Sequence, residues 1–272
     1  MLCKGFFSSI IKWMKFRSKN MEKPIIFISH ITEEGEVAKR LKADILKYYR
    51  GSVLVFVSSD FDSIEGGKDY FNTIIDRLRK TILMITLCSP DSVKREWINF
   101  ETGFGYARKI NVLPLLYKGL KFSDIQSPIQ RMQGYDISDE SLNNIFRIID
   151  EKLGYVNEHY DFTNFLDFVS KFEKEDKSLL NFMNNLENIL GTQKLKDTLL
   201  YEIDDKRAMI NISQDKYKKL DEMVFESGYS NELQFINKES AGNGLSGLII
   251  AGFYIKYSDL LYERLSEKFL RD

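Results

Sequence analysis

Four short, apolar, β-rich runs recur at nearly equal intervals: Pro24–Ile28, Val53–Val57, Thr81–Leu87 and Ile110–Leu116 begin 29, 28 and 29 residues apart. Charged stretches with helical periodicity separate them, with Val37, Leu41, Ile45 and Tyr48 in one and Val93, Trp97, Phe100 and Phe104 in another. Strand, helix and strand at that interval predict right-handed βαβ crossovers and a mostly parallel sheet, hence an α/β fold. The runs are continuous rather than alternating, as strands covered on both faces require. Met132–Ile137 reads as a weaker edge strand and Leu142–Leu153 as the closing helix.

Beyond Gly154 the texture changes. All four prolines lie before that point, and Asp161–Phe172, Ser178–Leu190 and Tyr257–Leu270 read as amphipathic helices. With 272 residues the chain has room for two domains, since domains usually run roughly 100–200 residues. The expected layout is a leader at 1–22, an α/β domain at 23–153 and a second, mainly α-helical module at 154–272.

Charge narrows the choice of partners. Residues 1–20 carry five basic and no acidic residues, 21–150 carry 18 of each, and 151–272 carry 16 basic against 22 acidic. Neither domain has the basic excess on which phosphate-backbone binding depends, so nucleic acid is not expected as a partner. Met209–Ser213, a helix-like Asp215–Glu226 and Gly228–Asn231 before another helix resemble a ribbon-helix-helix DNA-binding unit in outline. The acidic balance of that segment argues against the resemblance, and a sensor or oligomerisation module is the better expectation.

Cys3 and Cys88 make neither a metal spacing nor a disulfide framework, which points to a reducing, cytoplasmic compartment. His30 and His159 suggest no metal site either. In the first twenty residues Lys12, Lys15, Arg17 and Lys19 interrupt a short apolar run, which excludes a membrane span. That stretch reads either as a basic amphipathic helix or as a poorly ordered leader ahead of Met21.

In an open parallel sheet, ligands sit at the carboxyl ends of the strands. Ser29 and His30 follow the first run, and a polar loop from Ser58 to Gly67, holding Ser59, Asp60 and Gly66, follows the second. Ser89-Pro90-Asp91-Ser92 follows the third and offers caps for a helix that continues through Trp97 and Glu101. Glu101 lies four residues after Trp97, on the face that carries the core-facing aromatics. A carboxylate there costs free energy unless something uses it. Two readings stay open, a site residue or a partly exposed, paired glutamate.

Together these segments resemble the TIR domain family. Phe27-Ile28-Ser29-His30 resembles the family's first box, Ile64-Glu65-Gly66-Gly67 the end of its BB loop, and Ser89-Pro90 with Trp97-Ile98-Asn99-Phe100-Glu101 its Ser-Pro and Trp-x-x-x-Glu signatures. Val112-Leu113-Pro114-Leu115 is similar to its fourth strand. Glu65-Gly66 stands where many relatives carry a proline, a departure that bears on loop-mediated assembly.

The resemblance implies a flavodoxin-like parallel sheet and cleavage of NAD at the nicotinamide–ribose bond, by hydrolysis or cyclisation, with Glu101 as the catalytic residue. NAD is then substrate, with no further cofactor and no metal. Ser29, His30, Ser59, Asp60, Gly66 and Trp97 are the implied substrate-binding positions. It also implies homo-oligomers through TIR–TIR contacts, a role in antiphage defence, and an activating ligand or protein for the second module. A TIR module that only scaffolds other proteins is the alternative.

Overall fold

The computed structural model describes residues 23–58, 70–156, 159–201, 206–239 and 250–270. The leader at 1–22, and with it both readings of that stretch, lies outside the described residues. The chain divides into two compact units after Lys171.

In the first unit the apolar runs become strands and the amphipathic stretches between them become helices. The order is β1 (Ile25–Ser29), α1 (Gly35–Tyr48), β2 (Leu54–Val57), α2 (Tyr70–Lys80), β3 (Thr81–Cys88), α3 (Glu96–Ala107), β4 (Asn111–Leu116), β5 (Tyr135–Asp136) and α4 (Asp139–Leu153). The strands form one sheet of order β2-β1-β3-β4-β5, and every pairing in it is parallel. Every residue of β1 is buried, which explains why its sequence shows no alternation. Phe27, Phe56, Ile74, Leu78 and Met84 pack together in one of the cores that flank the sheet, and Cys88, Ile98, Leu116 and Ile129 in another.

The expected strand at Met132–Ile137 shrinks to two residues. It pairs with β4 only at Leu115 and Leu116. The stretch of β4 that holds Pro114 is therefore open on that side, the position in which a sheet tolerates a residue without an N–H.

The order in which strands are added reverses at β1, since β2 lies on one side of it and β3 and β4 on the other. Such a switch point, here at the carboxyl ends of β1 and β3, is where an open α/β sheet places a crevice for ligands. Helix α3 closes on it from one face. A Cβ on Gly105 would stand 2.9 Å from Val112 Cγ2 and 3.4 Å from Met84 Cε, so glycine is what lets the helix approach the strands so closely.

Helix α5 (Thr163–Leu190) runs through the division between the units. The second unit continues with α6 (Thr192–Leu200), β6 (Arg207–Ser213), α7 (Gln214–Ser227), β7 (Leu233–Glu239), β8 (Ile250–Tyr257) and α8 (Asp259–Phe269). Its strands form an antiparallel sheet of order β6-β8-β7. Along β6, Ala208, Ile210 and Ile212 are buried and Met209 and Asn211 exposed, the alternation of a sheet covered on one face. Phe182 and Leu186 of α5, Leu220 of α7 and Leu261 and Leu265 of α8 pack with the buried side chains of β6.

Helix is the larger part of this unit, but the sheet within it is a departure from the sequence reading. The segment after Gly228 is also not the helix that a ribbon-helix-helix unit requires. Leu233, Gln234 and Phe235 instead pair with Tyr257, Lys256 and Ile255 as a strand. Among the described residues, no helix is long and apolar enough to cross a membrane.

Candidate active site

Ser29 ends β1 in the crevice, and its hydroxyl donates to Glu101 Oε2 on α3 at 2.6 Å. Glu101 is fully buried, which overturns the reading of a partly exposed glutamate. Its other oxygen, Oε1, is buried with no hydrogen-bond partner among the described residues. Burial pushes the carboxyl up to about 8, against the smaller opposing effects of the Ser29 hydroxyl and the Trp97 indole. At neutral pH the side chain is therefore mostly protonated. An acid so perturbed, in a crevice and with an idle oxygen, has the signature of a functional group.

Trp97 lies one turn before Glu101 on the same helix. Its ring stacks on Phe100, with centroids 5.2 Å apart, and meets Phe71 of α2 edge-on at 5.9 Å. Phe71 and Phe100 are 46% and 39% exposed, so this aromatic strip reaches the surface beside the carboxyl.

His30 is nearly buried, and its backbone is clamped by one side chain. Its N–H donates to Ser58 Oγ, whose hydroxyl donates back to the His30 carbonyl, each at 3.1 Å. The ring's Nδ1 lies 2.5 Å from the Ile31 carbonyl, which can only accept, so Nδ1 carries the proton. Ser29, His30, Trp97 and Glu101 thus come from one neighbourhood, and Ser58 joins them from the end of β2. Ser59, Asp60 and Gly66 lie outside the described residues.

Ser89-Pro90-Asp91-Ser92 does not cap the Glu101 helix as the sequence suggested. Ser92–Lys94 is a separate 3₁₀ turn, and Arg95 is extended with no side-chain cap, so α3 starts afresh at Glu96. The two serines bind each other instead: the Ser89 N–H donates to Ser92 Oγ at 2.7 Å, and the Ser92 N–H to Ser89 Oγ at 3.2 Å. This leaves the Ser89 hydroxyl to donate to Glu34 Oε1 at 2.5 Å.

Glu34 is the residue that sequence reasoning missed. It is as completely buried as Glu101, and burial pushes its carboxyl up to about 7, with Ser89, Ile31, Lys118 and Tyr117 acting in the opposite direction. Its neighbour Glu33 pairs with Arg95 at 2.9 Å. Only the 3₁₀ turn Thr32–Glu34 decides which of these adjacent glutamates turns inward. Among the described residues, no three His, Cys, Asp or Glu side chains gather as a metal cluster would.

The family model described as TIR domain matches residues 26–148. Among solved structures, the TIR domain of the Toll-related receptor TRR-2 from Hydra magnipapillata is 20% identical, covering 46% of this chain and 96% of its own, with a TM-score of 0.37. A metazoan TIR-STING receptor from C. gigas, solved in complex with 2',3'-cGAMP, is 14% identical over 86% of this chain and 69% of its own, also at 0.37. A 2-desoxiribosyltransferase from Leishmania mexicana is 21% identical over 34% of this chain and 64% of its own, at 0.28. No curated protein matches the sequence.

Proposed function

We propose, from the premise that residues 26–148 are a TIR domain, that this protein cleaves NAD at the nicotinamide–ribose bond with Glu101 as its catalytic residue. The observation that carries the reading is the fully buried Glu101 carboxyl, held through one oxygen by Ser29 and idle at the other. Nicotinamide leaves as a neutral molecule from a cationic precursor, and the ribose it leaves behind is oxocarbenium-like. A carboxylate in a low-dielectric crevice stabilises that charge far more than one in water does. The cationic nicotinamide ring of the substrate also favours ionisation of Glu101 at the moment the charge is needed. Attack by water gives ADP-ribose, and attack by an adenine nitrogen gives a cyclic isomer.

Substrate has to reach a side chain that exposes no surface, so turnover requires the crevice to open. A neighbouring copy that packs against the aromatic strip of Phe71, Trp97 and Phe100 would open it and supply the missing wall. On this reading the enzyme acts as a homo-oligomer, and residues 154–272 bias assembly in response to an activating ligand or protein. A cytoplasmic antiphage effector is the role that fits such a switch. The same burial of Glu101 is the observation that favours the second reading, a scaffold that never turns over NAD.

The test is NAD consumption by purified, concentrated full-length protein, with products separated by chromatography. Release of nicotinamide with ADP-ribose or its cyclic isomer is expected. Intact NAD after prolonged incubation with folded, assembled protein selects the scaffold.

A further inference from the structure

The structure assigns Glu34 as a positioning residue whose side chain ties the Ser29–His30–Ile31 turn to Ser89 at the end of β3 and so sets the orientation of Ser29 and His30 in the crevice. The role it would serve in turnover rests on the NAD reading above.

Two carboxyls with no exposed surface serve the carboxyl ends of adjacent strands, each held by a serine: Ser29 donates to Glu101 and Ser89 donates to Glu34. Glu101 has an idle oxygen, whereas both oxygens of Glu34 are engaged. Oε1 takes the Ser89 hydroxyl at 2.5 Å and Oε2 takes the Ile31 N–H at 3.4 Å, a longer and weaker bond. A group with both acceptors filled and no face toward solvent is built to hold parts together rather than to meet a ligand.

What it holds is specific. The Ile31 carbonyl receives His30 Nδ1 at 2.5 Å and the Glu34 backbone N–H at 3.0 Å, so the histidine ring is docked on the turn that Glu34 closes. Ser58 fixes the other side of the same residue through its N–H and its carbonyl. Ser29 is therefore followed by a residue pinned from β2 by Ser58 and by a turn pinned from β3 through Glu34. The Ser89 anchor is itself rigid, because its N–H donates to Ser92 Oγ, its hydroxyl oxygen accepts the Ser92 N–H, and the Ser92 hydroxyl donates onward to the Leu87 carbonyl at 3.1 Å. Freed of Glu34, the turn keeps its backbone bond but loses its tether to β3, and the His30 ring loses its fixed seat. Small displacements of positioning groups cost large factors in rate even where binding survives.

The experiment uses the full chain, whose two histidines, His30 and His159, can be told apart by ¹⁵N NMR. In wild type, His30 is expected in the Nδ1–H tautomer. In Glu34→Ala that preference collapses toward the mixture of an unrestrained imidazole, His159 is unchanged, and kcat for NAD falls about 10-fold with KM within about 3-fold. Glu34→Gln, which keeps one accepting oxygen, restores most of both. If Glu34→Ala does not fold, Ser89→Ala removes the other end of the tether and is expected to shift the His30 tautomer the same way. A folded Glu34→Ala with the wild-type tautomer, or a Ser89→Ala with it where the alanine variant at 34 is unfolded, overturns the assignment. The NMR readout needs no turnover. Wild type that is inert toward NAD defeats the functional reading alone, while the tautomer still decides the role of Glu34.

Discussion

A carboxyl group sealed from water keeps its proton well above the usual carboxylate range, and Glu101 converts that rule into two measurable consequences. The first concerns rate. If the ionised form stabilises the transition state, kcat/KM rises with pH through about 8, the value burial imposes on the free enzyme. The limb in kcat falls at lower pH, because bound NAD brings a cation beside the group. A pH–rate profile from 6 to 9.5 checks both limbs, and a flat profile contradicts the role.

The second concerns stability. Above about 4.5 the unfolded chain ionises at Glu101 while the folded chain does not, so this residue lowers wild-type stability as pH rises, until the folded group ionises near 8. Glu101→Gln removes that dependence. Its unfolding free energy is predicted to gain on that of wild type between pH 5 and pH 8, by up to ~1.4 kcal/mol per pH unit, and the difference to hold steady above about pH 9. Glu34 titrates in both proteins and cancels from the difference. An unchanging difference between the two melting curves would show that Glu101 is not perturbed by burial.

The placement of Glu101 depends on helix α3 lying close on the sheet, and Gly105 is the position that permits it. Gly105→Ala would drive a methyl to 2.9 Å from Val112 Cγ2, and either the valine or the helix has to yield. The expected cost is about 1–3 kcal/mol in a denaturation experiment. The helix that yields carries Glu101 away from Ser29, so catalysis falls further than stability alone accounts for. A variant as stable and active as wild type would mean that Val112 absorbs the methyl.

These elements were unequally legible. The strands β1 to β4 were plain because a sheet covered on both faces needs unbroken apolar runs. The Ser29–Glu101 pairing was anticipated only as a neighbourhood, since 72 residues separate the partners. The start of α3 was misread because Ser89 and Ser92 satisfy each other's N–H groups rather than those of the helix. Glu34 was invisible beside Glu33, as nothing short of the turn geometry distinguishes two adjacent glutamates. In the second unit, Leu233-Gln234-Phe235 does alternate, but the Gly-Tyr-Ser-Asn before it also reads as a helix start, and so short an alternation does not decide the matter.

The division after Lys171 gives the protein two compact units to work with. In the enzyme proposed above, the first holds the chemistry, and residues 154–272, which begin in the first unit and include all of the second, govern how many copies assemble. One array holds many sites, so a modest bias on association is amplified into a switch. Removing residues 1–20, which precede β1 in the sequence, is predicted to leave solubility and turnover unchanged. A large fall in melting temperature on their deletion would count against that.

The decisive measurement is nicotinamide release per molecule over a dilution series, with wild type and Glu101→Gln side by side at pH 8. Wild-type specific activity should climb with protein concentration, and the glutamine variant should lie lower by a factor of about 10² or more throughout while remaining folded. Equal release by the two proteins, or no release from wild type at any concentration, would contradict the assignment of NAD cleavage to Glu101.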